Sequence, residues 1–548
     1  MQKHDRQDCT KAACADGECV TSKLIEFQFQ MLILLTPVLL MGTALALAIL
    51  RVTRPRFRFG WLVTTGTTLG AWLSVLLWLP QLPLALSVPL WKSAGSANAF
   101  ATFMVSGQSW PYAFALATLA LATILTAPAR PDFPSSTTWS LCLAVVGLGL
   151  LAVSSGGPLT LVLFWAALDL AEAAVVLRSL EDRASDGQVP FAFAVRLGSM
   201  GLLLLGLVLG DSVNTGTGFG AIHGAYALLL PAAALLRLTT FAIPWPVSLA
   251  AGPQDVIGTV LHLAAGASSI AFLSQLGSDP LPNPLGLLVI GAGSALYAGW
   301  MWLRAPDSIS GRSLWIMGFG SLAVAAALRG NPAGSTGWGA AMVLVGSSLF
   351  LGGARQSWMN RAILLGIWIA ASLPFALTAS AWMGGGGALD LVVPPLLLAQ
   401  AMLLAGLYHR VVRPPVRPAV GVEAAWFRGI YLSGISLPIA AGILLGFWGW
   451  PGAFQFGMPV AGALVIAFGA ALLWLKRRLS FLNPLPTSWI PPGWSRVVSA
   501  TRREMSRLHA GSQRVAETIN RTIEGEAGIM WSLLLLVLFV SIIARREP

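Results

Sequence analysis

Lysine is nearly missing from this chain. Five occur, at Lys3, Lys11, Lys23, Lys92 and Lys476, and none lies near the middle of a long apolar run. Charge of either sign is scarce, at 10% of 548 residues, where soluble domains carry about 25%. That excludes a soluble globular fold for the bulk of the chain. Cysteine is also rare. Cys9, Cys14 and Cys19 stand in C-x4-C-x4-C near His4, with Cys142 far away, and this spacing fits no common zinc or iron–sulfur pattern. No metal site is expected there, and residues 1–25 read as an extracytoplasmic tail. There is no P-loop, no Gly-x-Gly-x-x-Gly after a strand and no nucleophile–base pair, and Gly384–Gly387 has no phosphate-binding context. The chain is therefore expected to have no catalytic chemistry and no cofactor of its own. Alternating polar and apolar residues are lacking, which argues against an outer-membrane barrel.

What the chain does have is oil. Hydrophobic residues make up 56% and the mean hydropathy is +0.74. Runs long enough to cross a bilayer core of about 30 Å recur from end to end, roughly sixteen in all. They lie near 26–50, 60–83, 110–127, 137–154, 157–177, 190–210, 219–243, 254–276, 284–303, 311–328, 336–353, 362–383, 388–408, 429–450, 457–475 and 529–544. The pattern predicts an all-α polytopic membrane protein with about 14–16 transmembrane helices. Its parts are N-terminal spans in 26–109, a transmembrane core in 110–410, further spans in 411–475, a surface segment in 476–528 and a last span in 529–548. Residues 84–109, with Pro, Ser and Gly, read as an outside loop.

The net charge of +12 is unevenly spread. With the N-terminus outside, the loops after odd-numbered spans collect most of the arginines, including Arg51, Arg54, Arg130, Arg304, Arg312, Arg355 and Arg410, and also the cluster from Lys476 to Arg521. This is the positive-inside bias, so the basicity reports topology in a cell inner (cytoplasmic) membrane and no nucleic-acid partner is expected. Within 495–524, Val498, Met505, Leu508, Val515 and Ile519 recur at helical spacing while Arg502, Arg503, Arg507 and Arg514 lie off that line. An amphipathic helix lying along the membrane surface is predicted there.

Ionisable groups inside spans cost a few kcal/mol each, so they usually face a partner or water. Asp169 and Glu172 share one helix face at a spacing of three. They read either as a proton or cation site, or as a pair near the cytoplasmic helix end, solvated or bonded to Arg178 or Arg183. Arg196 lies in the next apolar run, and Gln400 and His409 lie late in the chain. Arg237 precedes Pro244, Pro246 and Pro253, where prolines break a helix and free its carbonyls. His262 follows, and histidine titrates near physiological pH, although a hydrogen-bonded core histidine is the plainer reading.

Residues 235–273, LLRLTTFAIPWPVSLAAGPQDVIGTVLHLAAGASSIAFL, resemble the central motif of the antiporter-like membrane subunits of respiratory complex I and of Mrp-type antiporters. The resemblance puts Arg237 at a lysine position. Trp245-Pro246 and Ala251-Gly252-Pro253 fall at the break, and His262 falls at the family's histidine. Leu168-Asp169 would correspond to the family's Trp-Glu pair, and 371–382 resembles its second proline-broken stretch. A surface helix before a final span is also a feature of the largest of these subunits. The resemblance implies inverted repeats with broken helices, other membrane subunits as partners, protons or sodium ions as cargo, and an ion pathway through Asp169, Glu172, Arg237, His262 and Gln400. It departs from the family in having no intramembrane lysine, and arginine does not readily release a proton. The implied function is a membrane subunit of a complex-I-like translocating respiratory assembly, part of an NADH:quinone oxidoreductase-like machine. An ion-energised subunit of an inorganic-carbon uptake complex and a non-conducting structural subunit remain open alternatives.

Overall fold

In a computed structural model, residues 18–54, 59–91, 99–129, 136–179, 188–210, 218, 219, 222, 224–242, 254–276, 281–352, 357–384, 387–412 and 425–478 are described. The predicted surface helix, the final span and the cysteines at Cys9 and Cys14 lie outside them, as do Pro244, Pro246 and Pro253. The side chains at a few helix ends, Cys19 among them, are likewise not described.

Fifteen α-helices occur among the described residues. They are α1 (Glu18–Thr53), α2 (Gly60–Trp78), α3 (Trp110–Thr126), α4 (Ser136–Val153), α5 (Pro158–Ser179), α6 (Gln188–Gly210), α7 (Leu229–Thr239), α8 (Gln254–Ala271), α9 (Leu285–Arg304), α10 (Arg312–Leu328), α11 (Pro332–Leu351), α12 (Ser357–Ala370), α13 (Val393–Val412), α14 (Ala425–Phe447) and α15 (Pro459–Arg478). Each of the first fifteen apolar runs read from the sequence coincides with one of these helices. Twelve described segments are long and apolar enough to cross a membrane, and Trp110–Thr126, Arg312–Leu328 and Asn360–Ala370 are shorter apolar helices. The chain is a multi-pass membrane protein.

The helices sort by burial as their composition requires. The spans at Val256–Gln275, in α8 and the turn after it, and at Pro332–Leu351, which is α11, are buried over nearly their whole length. Both are rich in Gly, Ala and Ser, the small residues that let helix backbones approach where no hydrophobic force drives association. These two helices touch, and around them stand α3, α4, α10 and α14. The outer helices α1, α2, α6, α9 and α15 turn Leu, Val and Ile outward, as a lipid solvent demands.

Two successive five-helix runs, α4–α8 and α9–α13, each have a short fourth helix. In the first, α7 ends at Thr239 and passes into a 3-10 turn at Thr240–Ala242. In the second, α12 stops at Ala370, and the chain continues through Ser372 and Phe375, both with positive φ, to another 3-10 turn at Ala379–Trp382.

The stretch expected to be an outside loop is instead largely an antiparallel hairpin, β1 (Leu84–Trp91) with β2 (Ala99–Val105). Leu84 and Leu86 point inward while Ala85 and Ser87 face out, a short alternation of period two. The hairpin is fastened to the bundle where Met104 N donates to Ser154 O at 2.7 Å and Gly156 N to Thr102 O at 2.7 Å.

Candidate functional site

The site is built on α5, α6 and α7. Asp169 and Glu172 lie one turn apart on α5, so both carboxylates leave the helix on one side. Arg196 on α6 and Arg237 on α7 meet them. All four side chains are buried, none more than 6% exposed. Arg237 holds Asp169 at two points, Nη1 to Oδ2 at 3.0 Å and Nη2 to Oδ1 at 2.6 Å. Arg196 bridges the two acids. Its Nη1 donates to Asp169 Oδ1 at 3.1 Å and to Glu172 Oε2 at 2.5 Å, and its Nη2 donates to Glu172 Oε1 at 3.1 Å. Two cations and two anions alternate in one lattice with no net charge.

The surroundings fix this lattice in place. Arg196 Nε donates to Thr240 Oγ1 at 3.3 Å, and that hydroxyl donates to Arg237 O at 2.7 Å, in the turn where α7 ends. The Arg237 guanidinium lies 4.4 Å from the ring centre of Trp165, one turn before Asp169 on α5. The Trp165 indole is held in turn by a 3.2 Å bond from Nε1 to Ser268 O. Fork-shaped, planar and always charged, arginine suits such multipoint pairing better than lysine.

His262 stands on α8 beside this group. Its Nδ1 is 2.7 Å from Gly258 O, one turn back on the same helix. Phe241 touches both sides, with its ring 5.9 Å from the His262 ring and 6.0 Å from the Arg196 guanidinium carbon. Arg312, expected in a cytoplasmic loop, is instead the first residue of α10 and only 1% exposed. It donates to Thr259 Oγ1 at 2.9 Å and lies over Gly258, where a Cβ would come within 2.6 Å of its Nη2. Only a glycine leaves room for the guanidinium at that point of α8.

Gln400 lies on α13, away from the ionic lattice, at the second broken helix. Its Nε2 donates to Ala370 O at 2.9 Å and Ser372 Oγ at 3.1 Å, and its Oε1 accepts from Trp382 Nε1 at 3.1 Å. Thr378 Oγ1 bonds Ile369 O and Ser372 N, both at 2.9 Å. The broken backbone is therefore satisfied by side chains, as membrane depth demands. The first half's spacing recurs here in apolar form. Phe319 follows Trp315 by four residues as Asp169 follows Trp165, and the two rings lie 4.3 Å apart.

Asp169, Glu172 and Arg237, singled out in the sequence, come together. His262 lies next to them, and Gln400 belongs to a separate node. Arg196 stands out in the sequence as an intramembrane charge, but its role as the bridge does not. Glu172 pairs with Arg196, and the side chains of Arg178 and Arg183 lie outside the described residues. Among the described residues no group of three His, Cys, Asp or Glu side chains is placed to hold a metal ion.

By fold, the chain is an all-α polytopic membrane protein in which two helices stop short. No protein-family model matches the sequence. No curated protein matches it either. Solved structures do match. A chain of the Mrp complex from Dietzia sp. DQ12-45-1b superposes with a TM-score of 0.64 at 15% identity, covering 94% of this chain and 63% of that one. This chain thus spans under two thirds of the Mrp chain's length. A chain of respiratory complex I from Thermus thermophilus gives 0.55 at 18% identity over 77% of this chain and all of that one. A chain of the membrane-bound sulfane sulfur reductase, an archaeal respiratory membrane complex, gives 0.55 at 11% identity over 93% and 99%. The motif resemblance to antiporter-like membrane subunits is thus matched by a shared fold, with sequences far diverged.

Proposed function

We propose that this chain is a membrane subunit of a complex-I-like, proton- or cation-translocating assembly in the inner membrane, with its N-terminus outside and other membrane subunits beside it. The observation that carries the reading is the buried Asp169–Arg237 clasp at the end of a broken helix, in a fold shared with subunits of respiratory complexes. Arg237 is the fixed cation in this scheme, Asp169 and Glu172 are the acids whose protonation it biases, and His262 is the adjacent titrating relay. The test is ion flux in assembled complexes or proteoliposomes carrying Arg237→Ala. Altered coupling supports the assignment, and unchanged flux overturns it. Mild-detergent purification with mass spectrometry of co-purifying chains separates respiratory partners from a soluble carbon-uptake enzyme.

A second reading, a non-conducting structural subunit, is favoured by the second half. There Gln400 does not titrate and has its amide oxygen and nitrogen both engaged in holding the broken helix. Loss of assembly without loss of flux in a Gln400 variant would select it.

A further inference from the structure

The clasp on Asp169 closes into a ring through the end of α7. The Arg196 guanidinium meets the acids of α5 with its two Nη atoms and turns its Nε edge to Thr240, in the 3-10 turn that follows α7. The Thr240 hydroxyl donates to Arg237 O at 2.7 Å. Its one proton is thereby used, so toward Arg196 Nε it can only accept, at 3.3 Å. Arg237, whose carbonyl accepts that bond, is also the residue whose guanidinium holds Asp169. The circuit runs from Asp169 to Arg196, Thr240 and Arg237 and back to Asp169, and it crosses α5, α6 and α7. Glu172 is tied to it at two points by Arg196.

A guanidinium is a flat, stiff fork, so its edges move together. A turn of the Arg196 plane that follows from losing Glu172 on one edge is felt by Thr240 on the other. The Arg196–Thr240 bond is the longest in the ring and is where the ring gives first. Thr240 is fully buried, and its N–H also goes to Arg237 O, so it moves only with the turn. The next residue, Phe241, lies against both Arg196 and the His262 ring, which carries a shift of the turn to α8. The charged and titratable groups around Glu172 among the described residues are Asp169, Arg196 and Arg237, with His262 and Arg312 beyond Phe241. None of their charges depends on a hydroxyl at position 240. A valine there would fill nearly the same space and leave all of them in the lattice.

We propose that Thr240 is a positioning residue: through Arg196 it couples the Glu172–Arg196 contact to the turn at the end of α7, so that losing the contact loosens the turn beside His262. The coupling deepens the acid role of Glu172 proposed above and rests on it, but its test needs no ion flux, so the two can fail separately. The test follows hydrogen exchange of the backbone amides of residues 238–242 in the full chain in nanodiscs. Glu172→Gln is placed in the wild type, in Thr240→Val and in Thr240→Ser. It should speed exchange about tenfold in the wild type and in Thr240→Ser, which keeps the hydroxyl, but by less than about twofold in Thr240→Val, where the link is already cut. The amides of residues 340–345 in α11 serve as the reference and should not change. An equal effect of Glu172→Gln in the wild type and in Thr240→Val, or no effect in the wild type, overturns the proposal. A matching acceleration in α11 also overturns it, because it would mark general loosening. Where Glu172→Gln does not assemble, Glu172→Asp draws the carboxylate back from the same two-point contact and gives the same comparison.

Discussion

Arg196 and Glu172 face each other across α5 and α6 through two hydrogen bonds, with the same guanidinium also reaching Asp169. The pair is buried, and its charges are satisfied within the lattice. Removing Arg196 would leave Glu172 charged without its guanidinium at membrane depth.

Arg196→Ala is therefore expected to destabilise the protein by about 3–5 kcal/mol, the cost of stranding a buried charge. Thermal unfolding in detergent would read this as a lower midpoint. Adding Glu172→Met to Arg196→Met should recover most of the loss, because a matched apolar pair strands nothing. A double variant no better than the single would show that the two residues are not energetically coupled.

Gln400→Leu should weaken the second broken helix. It leaves Trp382 Nε1 and Ala370 O without these partners, at about 1–3 kcal/mol for each stranded group. Limited proteolysis between Ala370 and Val393 would report the loosening as faster cleavage. An unchanged cleavage rate would mean that other bonds hold this segment.

Gly339 on α11 meets Tyr112 of α3, and a Cβ there would clash with Tyr112 Cε1, Cζ and Oη. Gly339→Ala should cost about 1–3 kcal/mol by overpacking. Tyr112 Oη also donates to Ser335 O at 3.0 Å, so adding Tyr112→Leu should relieve the clash but not restore full stability. A neutral Gly339→Ala midpoint would show that α3 and α11 can shift apart freely.

Gly258→Ala is expected to displace the Arg312 guanidinium and disturb the backbone turn that holds His262. If His262 serves ion transfer, flux should fall in this variant more than stability does. Parallel flux and unfolding measurements would separate the two effects.

The helices were legible in the sequence because each apolar run carries its own length and hydropathy. Asp169, Glu172 and Arg237 were legible because a charge in such a run has few bland explanations. The pairing was not. Arg196 is 24 residues from Glu172, and the two meet only because α5 packs on α6, which spacing does not encode. Arg312 and Arg410 sit at run ends and read as loop cations, yet Gly258 makes room for one and Trp302 stacks under the other. The hairpin's alternation covers only a few residues, too short to stand out against its apolar setting.

The four-membered lattice sums to zero charge. A membrane voltage does work on net charge, about 2.3 kcal/mol per elementary charge per 100 mV. Moved as a unit, the lattice would feel no pull from the voltage. A proton arriving at Asp169 or Glu172 would give it one positive charge and make it responsive for as long as the proton stays. A voltage dependence in the movement of the lattice as a unit would therefore report the occupancy of its two acids.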